Sequence, residues 1–445
     1  MFSALRSPDF RLLWLGQSAS TLGDGLVVVA IGLFVTRLTG DPSDVGVVLA
    51  AYSLPLVLLV LVGGVVADRW PRRTVMILSD TVRCVLHGTL ALLIATGSVR
   101  IWQLVVIGVL FGSSQAFFQP AYFGLVPQTV PESDIQSAQA LGGMTRELAS
   151  FVSPALSTFL VLSAGGAAAF GLDAATFAVS ALTLLRVRTR SRGEPATADG
   201  GILSELKEGW SAVRERAWVW ATIASFSIVL LVAITPFFVL GPTLARHAYG
   251  TEAVYGYANA AWGAGMVLGA VLGARWRPYR PLLLGLVACV LCPAMVLLFA
   301  SAPPLTVLYP FMVVSGAGMG LFSVWWETAL AQRIPPHLLS RVSAWDWMGS
   351  LALAPAGYLA AGPVAHTFGE GRVLAAGGAI GTVALLFALL PASTRNLTRV
   401  ETPAPAEVPA PAEPPAKDAV RSGVLLPEGG GAPPEGERQE AYGPQ

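Results

Sequence analysis

From Phe10 to Leu390 the chain runs as a succession of apolar stretches separated by short polar connections. About 20 apolar residues in a helix, at about 1.5 Å per residue, are enough to cross a hydrocarbon layer of roughly 30 Å. The pattern predicts twelve such spans, over residues 10–37, 44–66, 75–97, 101–125, 136–162, 168–187, 217–242, 253–274, 281–301, 304–330, 342–364 and 372–391. In lipid a helix satisfies its own backbone groups, so the expected class is an all-α membrane protein with twelve transmembrane helices. The first stretch holds Asp24 in its middle and lacks a small-residue cleavage site behind a short apolar core. It reads as a retained helix and not as a signal peptide.

The longest internal polar stretch, 188–216, divides the spans six and six and contains an amphipathic segment around Leu203 to Val213. Weak self-similarity supports that division. Gln128, Pro131 and Ile135 after span four correspond to Gln332, Pro335 and Leu339 after span ten, and Arg69-Trp70 after span two is echoed by Arg275-Trp276 after span eight. Pro154 in span five has a rough counterpart in Pro355 of span eleven. Duplicated halves are how many transporters are built. The expected organisation is two pseudo-symmetric six-helix bundles, 1–187 and 217–391, joined by a linker at 188–216. Beyond Pro391 the chain turns to repeated Pro, Ala, Glu and Gly, which cannot bury enough apolar area to offset ordering entropy. Residues 392–445 are expected to form a disordered tail.

Charge sets the orientation. Placing the N-terminus in the cytoplasm assigns seventeen Lys and Arg residues to inner connections and four, Arg37, Arg100, Arg246 and Arg372, to outer ones. Positive residues concentrate on the cytoplasmic side, so both termini are expected there. Composition narrows the chemistry further. Only 12% of residues are charged and 54% are hydrophobic, where soluble domains carry about 25% charged residues. The net charge of +1 offers none of the basic surplus that nucleic-acid binding needs. Cys289 and Cys292 have a C-x-x-C spacing, but no nearby Cys or His completes a metal-ligand set, and with Cys84 they lie in apolar segments as packing residues. The four histidines are scattered, and phosphate loops and nucleophile elbows are missing. Neither an enzyme nor a cofactor is expected.

The most specific string is Gly64-Val65-Val66-Ala67-Asp68-Arg69-Trp70-Pro71-Arg72-Arg73, at the inner end of span two. A glycine there allows another helix to approach closely, and an aspartate can cap a neighbouring helix N-terminus, where N–H groups are unpaired and the dipole favours an anion. The string resembles the gating loop of the major facilitator superfamily, with Pro71 in place of the usual second glycine. The resemblance implies that Asp68 caps span eleven, which begins near Ser340, and that Gly64, Asp68, Arg69, Arg72 and Arg73 act as a gate. Phe117-Phe118-Gln119-Pro120-Ala121, Val126-Pro127, Pro131-Glu132 and Gln136-Ser137-Ala138-Gln139-Ala140 look like the span four to five junction of the macrolide-efflux and siderophore-exporter branch. Gln17 to Gly25, Leu172-Asp173-Ala174 and Arg341-Val342-Ser343 are similar to that branch as well. The sequence departs from the drug–proton antiporters of other branches, which carry an Arg in the middle of span four and a Gly-Pro pair in span five. Here span four has none, and Ser153 precedes Pro154.

Ionisable groups deep in a span are costly and default to functional candidates. Asp24 lies 13 residues beyond Arg11, or roughly 20 Å along a helix, and is flanked by Gly23 and Gly25. It reads either as a coupling or substrate residue or as a buried Asp satisfied by neighbouring hydroxyls or backbone. Arg146 and Glu147 in span five reach a similar depth, and matching depth pairs Arg146 with Asp24. Asp80 and Arg83 share one helical face and read as a local ion pair. Asp173 is placed nearer the outer surface, Glu327 and Asp346 nearer the inner one. Trp325, Trp326, Trp345 and Trp347 read mainly as interfacial anchors.

The resemblance implies a secondary transporter of the bacterial cytoplasmic membrane, exporting an amphipathic drug, macrolide-like or siderophore-like metabolite by alternating access, with protons as the coupling ion and membrane lipid as its surroundings. Candidate cavity residues, chosen for polarity or aromaticity on spans that the family places centrally, are Gln115, Phe118, Gln119, Phe237 and Trp326, with Asp24. A lysophospholipid transporter and a non-transporting sensor or scaffold are the alternatives.

Overall fold

The computed structural model describes residues 3–189, 202–276 and 278–398. Among these every regular element is helical. Span one is made of two helices, α1 (Pro8–Asp24) and α2 (Val27–Leu38). Spans two to six are α3 (Pro42–Arg69), α4 (Arg72–Ala95), α5 (Ile101–Thr129), α6 (Ile135–Ala164) and α7 (Gly166–Leu184). The amphipathic segment of the connection forms α8 (Ile202–Arg214). Span seven is α9 (Ala217–Val229), a single π-helical turn Leu230–Ile234, and α10 (Thr235–Tyr249). Then follow α11 (Ala253–Arg275) as span eight, α12 (Pro281–Cys289) with α13 (Leu291–Ala300) as span nine, and α14 (Leu305–Arg333) as span ten. Spans eleven and twelve are α15 (Pro336–Leu351) with α16 (Ala354–Phe368), and α17 (Glu370–Phe387). Eleven of the spans are long and apolar enough to cross a membrane. The twelfth, α11, has 23 residues, but five glycines and Asn259 dilute its apolarity.

The pattern of apolar positions does not show where the spans break, because a break leaves the hydropathy unchanged. Span one stops being regular at Gly25–Leu26, where the Leu26 N–H bonds back only three residues, to the Gly23 carbonyl. Neighbouring serines take up backbone acceptors there: Ser153 donates to the Leu22 carbonyl at 2.9 Å and Ser157 to the Leu26 carbonyl at 2.8 Å, both from α6. Irregular backbone inside a bilayer persists only where protein satisfies it in this way.

Helices α11 and α14 pack backbone on backbone. A Cβ at Gly265 or Gly269 would collide with the Val313 or Ala317 carbonyl, and one at Gly316 or Gly320 with the Trp262 or Met266 carbonyl. In the first half α3 and α5 meet in the same manner, Gly63 against the Ala116 carbonyl and Gly112 against the Tyr52 carbonyl. Gly63 and Gly269 are separated by the same interval as Arg69 and Arg275, so the internal repeat extends to the contacts that hold each half.

The two halves meet closely at the end that carries the α2–α3 loop. There Arg37 Nε lies 2.5 Å from Glu252 Oε1, the Arg246 guanidinium donates to the Thr36 carbonyl at 3.0 Å, and His366 Nε2 lies 3.0 Å from Asp41 Oδ1. At the opposite end, where the described chain begins and ends, α15 packs on α8, α9 and α14, while the main contact of α3 with span eleven is through its second part, α16. Burial pushes the Glu252 carboxyl up, but the hydrogen bond and charge of Arg37 outweigh it and hold the group below its ordinary value. Burial likewise raises Asp41, and the Ser43 backbone N–H together with His366 brings it below its ordinary value.

An acid depressed by its partners adds to closure above its ordinary value and loses that contribution as pH falls through the depressed one. Closure of this end is therefore expected to hold at neutral pH and to weaken in acid. An exposed ion pair is worth roughly 0–1 kcal/mol, so Arg37→Ala should open this end by up to about fivefold. The rate at which a maleimide labels a cysteine placed at Thr36, on a background lacking Cys84, Cys289 and Cys292, measures the change.

Candidate functional site

The break in span one places Asp24 at the end of α1, against α4 and α7. Gly23 makes this possible: a Cβ there would collide with the Asp173 carboxylate and the Thr176 hydroxyl of α7. Asp24 Oδ2 lies 3.4 Å from Arg83 Nη1, while its Oδ1 is buried without a hydrogen-bond partner among the described residues. The side chain as a whole keeps 24% exposure. Arg83 is fully buried and is bound more closely by Asp80, one turn back on α4. Its guanidinium carbon lies 4.2 Å from the Phe118 ring centre and 4.4 Å from that of Phe177, so two aromatic faces supplement the carboxylates. Ser180 donates to the second Asp80 oxygen at 2.6 Å, and Gln17 donates to Ser180 at 2.8 Å.

One turn further along α4, His87 is fully buried. Its Nδ1 lies 2.6 Å from Asp173 Oδ2 and its Nε2 lies 3.1 Å from the Tyr52 hydroxyl. The imidazole stacks on Phe111 with ring centres 4.3 Å apart. Five helices, α1, α3, α4, α5 and α7, thus converge on one enclosed polar cluster holding three carboxylates, one guanidinium and one imidazole.

Several sequence expectations are corrected here. Asp24 pairs with Arg83 and not with Arg146, whose guanidinium instead lies 5.2 Å from the Phe123 ring centre on an exposed side chain. Glu147, also exposed, faces Ser323 of α14, and Glu327 lies within electrostatic reach of Asp346, Glu147 and Arg146. Arg146 and Glu147 therefore belong to a second charged group that spans the two halves. Asp173, expected nearer the outer surface, lies seven residues past the outer start of α7 and is fully buried at the cluster. Phe237 is enclosed by Phe238, Tyr255 and Phe299 and is core, since its face is spent on other rings. Trp326 is buried between Trp218 and Phe322, with its N–H on Asp346 at 2.9 Å. Trp325 is buried too, donating to the Gly273 and Trp276 carbonyls. Neither is an interfacial anchor, whereas Trp347 is exposed. Phe118 supports Arg83, and Gln115 and Gln119 remain half-buried.

Within the loop string, Gly64 faces open space and the close helix approach falls one residue earlier, at Gly63. Arg73 donates to the Leu184 and Leu185 carbonyls and so caps the C-terminus of α7, while Arg72 donates to the Gly124 carbonyl at 2.7 Å. Arg69 is exposed. The side chains of Asp68 and Ser340, like most of the tail and residues 190–201 of the linker, lie outside the described residues. Cys289 and Cys292 are buried in α12 and α13, with Cys289 against the sulfur of Met319.

Sequence reasoning missed Arg83, His87, Asp173 and Tyr52 as one site. A signal was available: Arg83 lies ten residues beyond Arg73, about 15 Å along a helix, which approaches the depth of Asp24. His87 follows four residues later on the same face.

Compared with known proteins, residues 13–351 match the profile of the Major Facilitator Superfamily. The chain is 23% identical over 339 residues to macrolide efflux protein A of Streptococcus pyogenes, covering 75% of this chain and 83% of that protein. It is 25% identical over 386 residues to the multidrug efflux pump Tap of Mycolicibacterium fortuitum, covering 83% and 92%. With the enterobactin exporter EntS of Salmonella choleraesuis identity is 26% over 337 residues, covering 76% and 80%. Among solved structures, a bacterial homologue of the human lysosomal transporter Spinster, inward-facing and occupied, superposes with a TM-score of 0.64 at 14% identity, covering 88% of this chain and 97% of that one. The nucleoside transporter NupG superposes with a TM-score of 0.63 at 14% identity, covering 86% and 98%.

Removing one partner of a buried ion pair leaves an uncompensated charge and costs about 3–5 kcal/mol. Arg83→Met should therefore destabilise the protein by about that much, measured as loss of monodisperse protein on heating in detergent. Adding Asp80→Asn to Arg83→Met should recover part of the loss.

Proposed function

The chain belongs to the major facilitator superfamily and is a multi-pass membrane transporter, and on that premise we propose that it exports an amphipathic organic compound from a bacterial cytoplasm, driven by the proton gradient. The excess of Lys and Arg on the connections at the terminal end supports a cytoplasmic location for both termini. Contacts between the halves at the other end then correspond to a state open to the cytoplasm. The relatives named above act in macrolide, multidrug and enterobactin efflux, which favours export and an organic substrate. The observation that carries the coupling is Asp24: a mid-span carboxyl beside a helix break, one oxygen unpartnered and the side chain partly open.

The arrangement suggests how a proton acts. With Asp24 ionised, Arg83 is shared between Asp24 on α1 and Asp80 on α4, which ties span one to span three. A proton on Asp24 removes its charge and leaves Arg83 to Asp80 alone, loosening α1 at its own break. Rocking of the two halves then exchanges the closed end for the open one. The loop Gly64–Arg73 acts as the cytoplasmic gate in this reading, with Asp68 meeting the start of α15 when that end closes. Gln115 and Gln119 line the path, and the charged group formed by Arg146, Glu147, Glu327 and Asp346 faces it from both halves.

One observation favours the lipid-transport alternative. An open, mainly apolar groove of about 300 Å³ lies between α3, α4 and α5, lined by residues such as Trp70, Leu78, Leu110 and Phe117. Its position on the outer surface of three spans suits an acyl chain better than a solute taken from water.

Expression in a bacterial host lacking its own pumps should lower the accumulation of at least one macrolide or lipophilic cation, and a protonophore should abolish the difference. Efflux that persists after the gradient collapses would exclude the proton-driven reading; flipping of fluorescent lysophospholipid in proteoliposomes would establish the alternative. Asp24→Asn keeps size and polarity but cannot exchange a proton, so it should abolish gradient-driven export while the yield of folded protein stays near that of wild type. Undiminished active export by this variant would move Asp24 to a structural role.

A further inference from the structure

The enclosed cluster does not balance its charges. Asp24, Asp80 and Asp173 face a single guanidinium, Arg83; the neighbouring α5 brings only the Phe111 and Phe118 rings, and α3 brings the Tyr52 phenol. Cys84, half-buried on α4, is the remaining titratable group near Asp80 and Asp173. With every carboxyl ionised and the imidazole neutral, the set is two negative charges in excess inside membrane-spanning helices, where unpaired charge is strongly disfavoured. Two bound protons restore neutrality.

We propose that the cluster binds two protons at separate stations, one on Asp24 and the other on His87, with Asp173 as the counter-ion of the imidazolium. The inference rests on the proton-coupled reading above and adds to it a second site and a stoichiometry. The assignment follows from the bonds each group makes. Asp80 receives hydrogen bonds from Arg83 and Ser180 and is satisfied as an anion. Asp173 is satisfied by His87 and by Thr176, at 2.6 and 3.4 Å. Asp24 has only its 3.4 Å contact to Arg83 and an unpartnered oxygen, so it is the carboxyl whose protonation disturbs the fewest hydrogen bonds.

His87 is built to exist in either protonation state without moving a heavy atom. When neutral it donates from Nδ1 to Asp173 and accepts at Nε2 from the Tyr52 hydroxyl. When protonated it donates from both nitrogens, and the Tyr52 oxygen becomes the acceptor. Stacking on Phe111 and the ring edges of Phe170 and Phe177 hold the imidazole in plane. Asp24 is the partly exposed station in this conformation, and His87 the closed one.

The test uses the full chain in lipid nanodiscs with 15N-labelled histidine. His247→Gln, His337→Gln and His366→Gln together leave His87 as the sole imidazole, and its two nitrogen shifts report its protonation. Over the conditions in which the protein stays folded the spectra should contain the imidazolium form of His87, and Asp173→Asn should shift the balance toward the neutral form. An imidazole that is neutral throughout, or a balance unchanged by Asp173→Asn, overturns the assignment.

Ethidium efflux from energised cells separates failure of the second station from failure of proton coupling itself. Exchange of one ethidium cation for two protons moves net charge inward and is driven by membrane potential as well as by the pH gradient; exchange for one proton is electroneutral and is driven by the pH gradient only. Wild type should export on a potential without a pH gradient, and His87→Gln should export only on a pH gradient. Equal responses to potential in both overturn the second station and leave the first standing. A wild type indifferent to the pH gradient removes the proton-coupled reading altogether.

Discussion

One buried guanidinium organises the first half of this protein. Arg83 is fully buried, so the favourable contacts it makes come from helices that must be in place: Asp80 on its own helix, Asp24 at the end of α1, and the rings of Phe118 on α5 and Phe177 on α7. In an apolar solvent such a charge is tolerated only when paired and bonded on several sides. The relative placement of spans one, three, four and six is therefore constrained by one side chain, and in the proposed function the pairing that helps hold this half is also the one that a proton on Asp24 would weaken.

The break after Asp24 belongs to the same logic. An unbroken span one would carry Asp24 past the cluster on a rigid rod. The irregular step at Gly25–Leu26 lets α1 and α2 follow different neighbours, and Ser153 and Ser157 on α6 supply donors to carbonyls on either side of it. The sequence departs here from the Gly-Pro pair seen in span five of related antiporters. A glycine at that position would have no hydroxyl, whereas Ser153, immediately before Pro154, bonds across to span one.

Much of the architecture is legible in the chain because hydropathy is a one-dimensional signal. Helices of about 20 apolar residues, the amphipathic α8 and the Asp80–Arg83 pair three residues apart all follow from spacing along one element. What cannot be read depends on how helices rotate against each other. Depth along a span matches Asp24 with Arg146, yet depth does not say which face a residue presents, and Arg83 occupies the facing position. Phe237 and Trp326 qualify as cavity candidates by being aromatic, a property that also makes core. His87 escapes notice in the sequence because nothing within its own helix completes it; its partners, Tyr52 and Asp173, come from 35 and 86 residues away.

The carbonyl-to-glycine packing of α11 on α14 has a consequence for anyone who would alter what this protein carries. Where Gly265, Gly269, Gly316 and Gly320 meet opposing carbonyls, even one added methyl group displaces backbone, so a mutational library spread evenly over the chain would lose its members along this seam whatever compound was offered for selection. Tolerated variation in α11 and α14 has to accumulate on the faces turned away from this seam, so under any selection the seam would remain silent while those faces diversify.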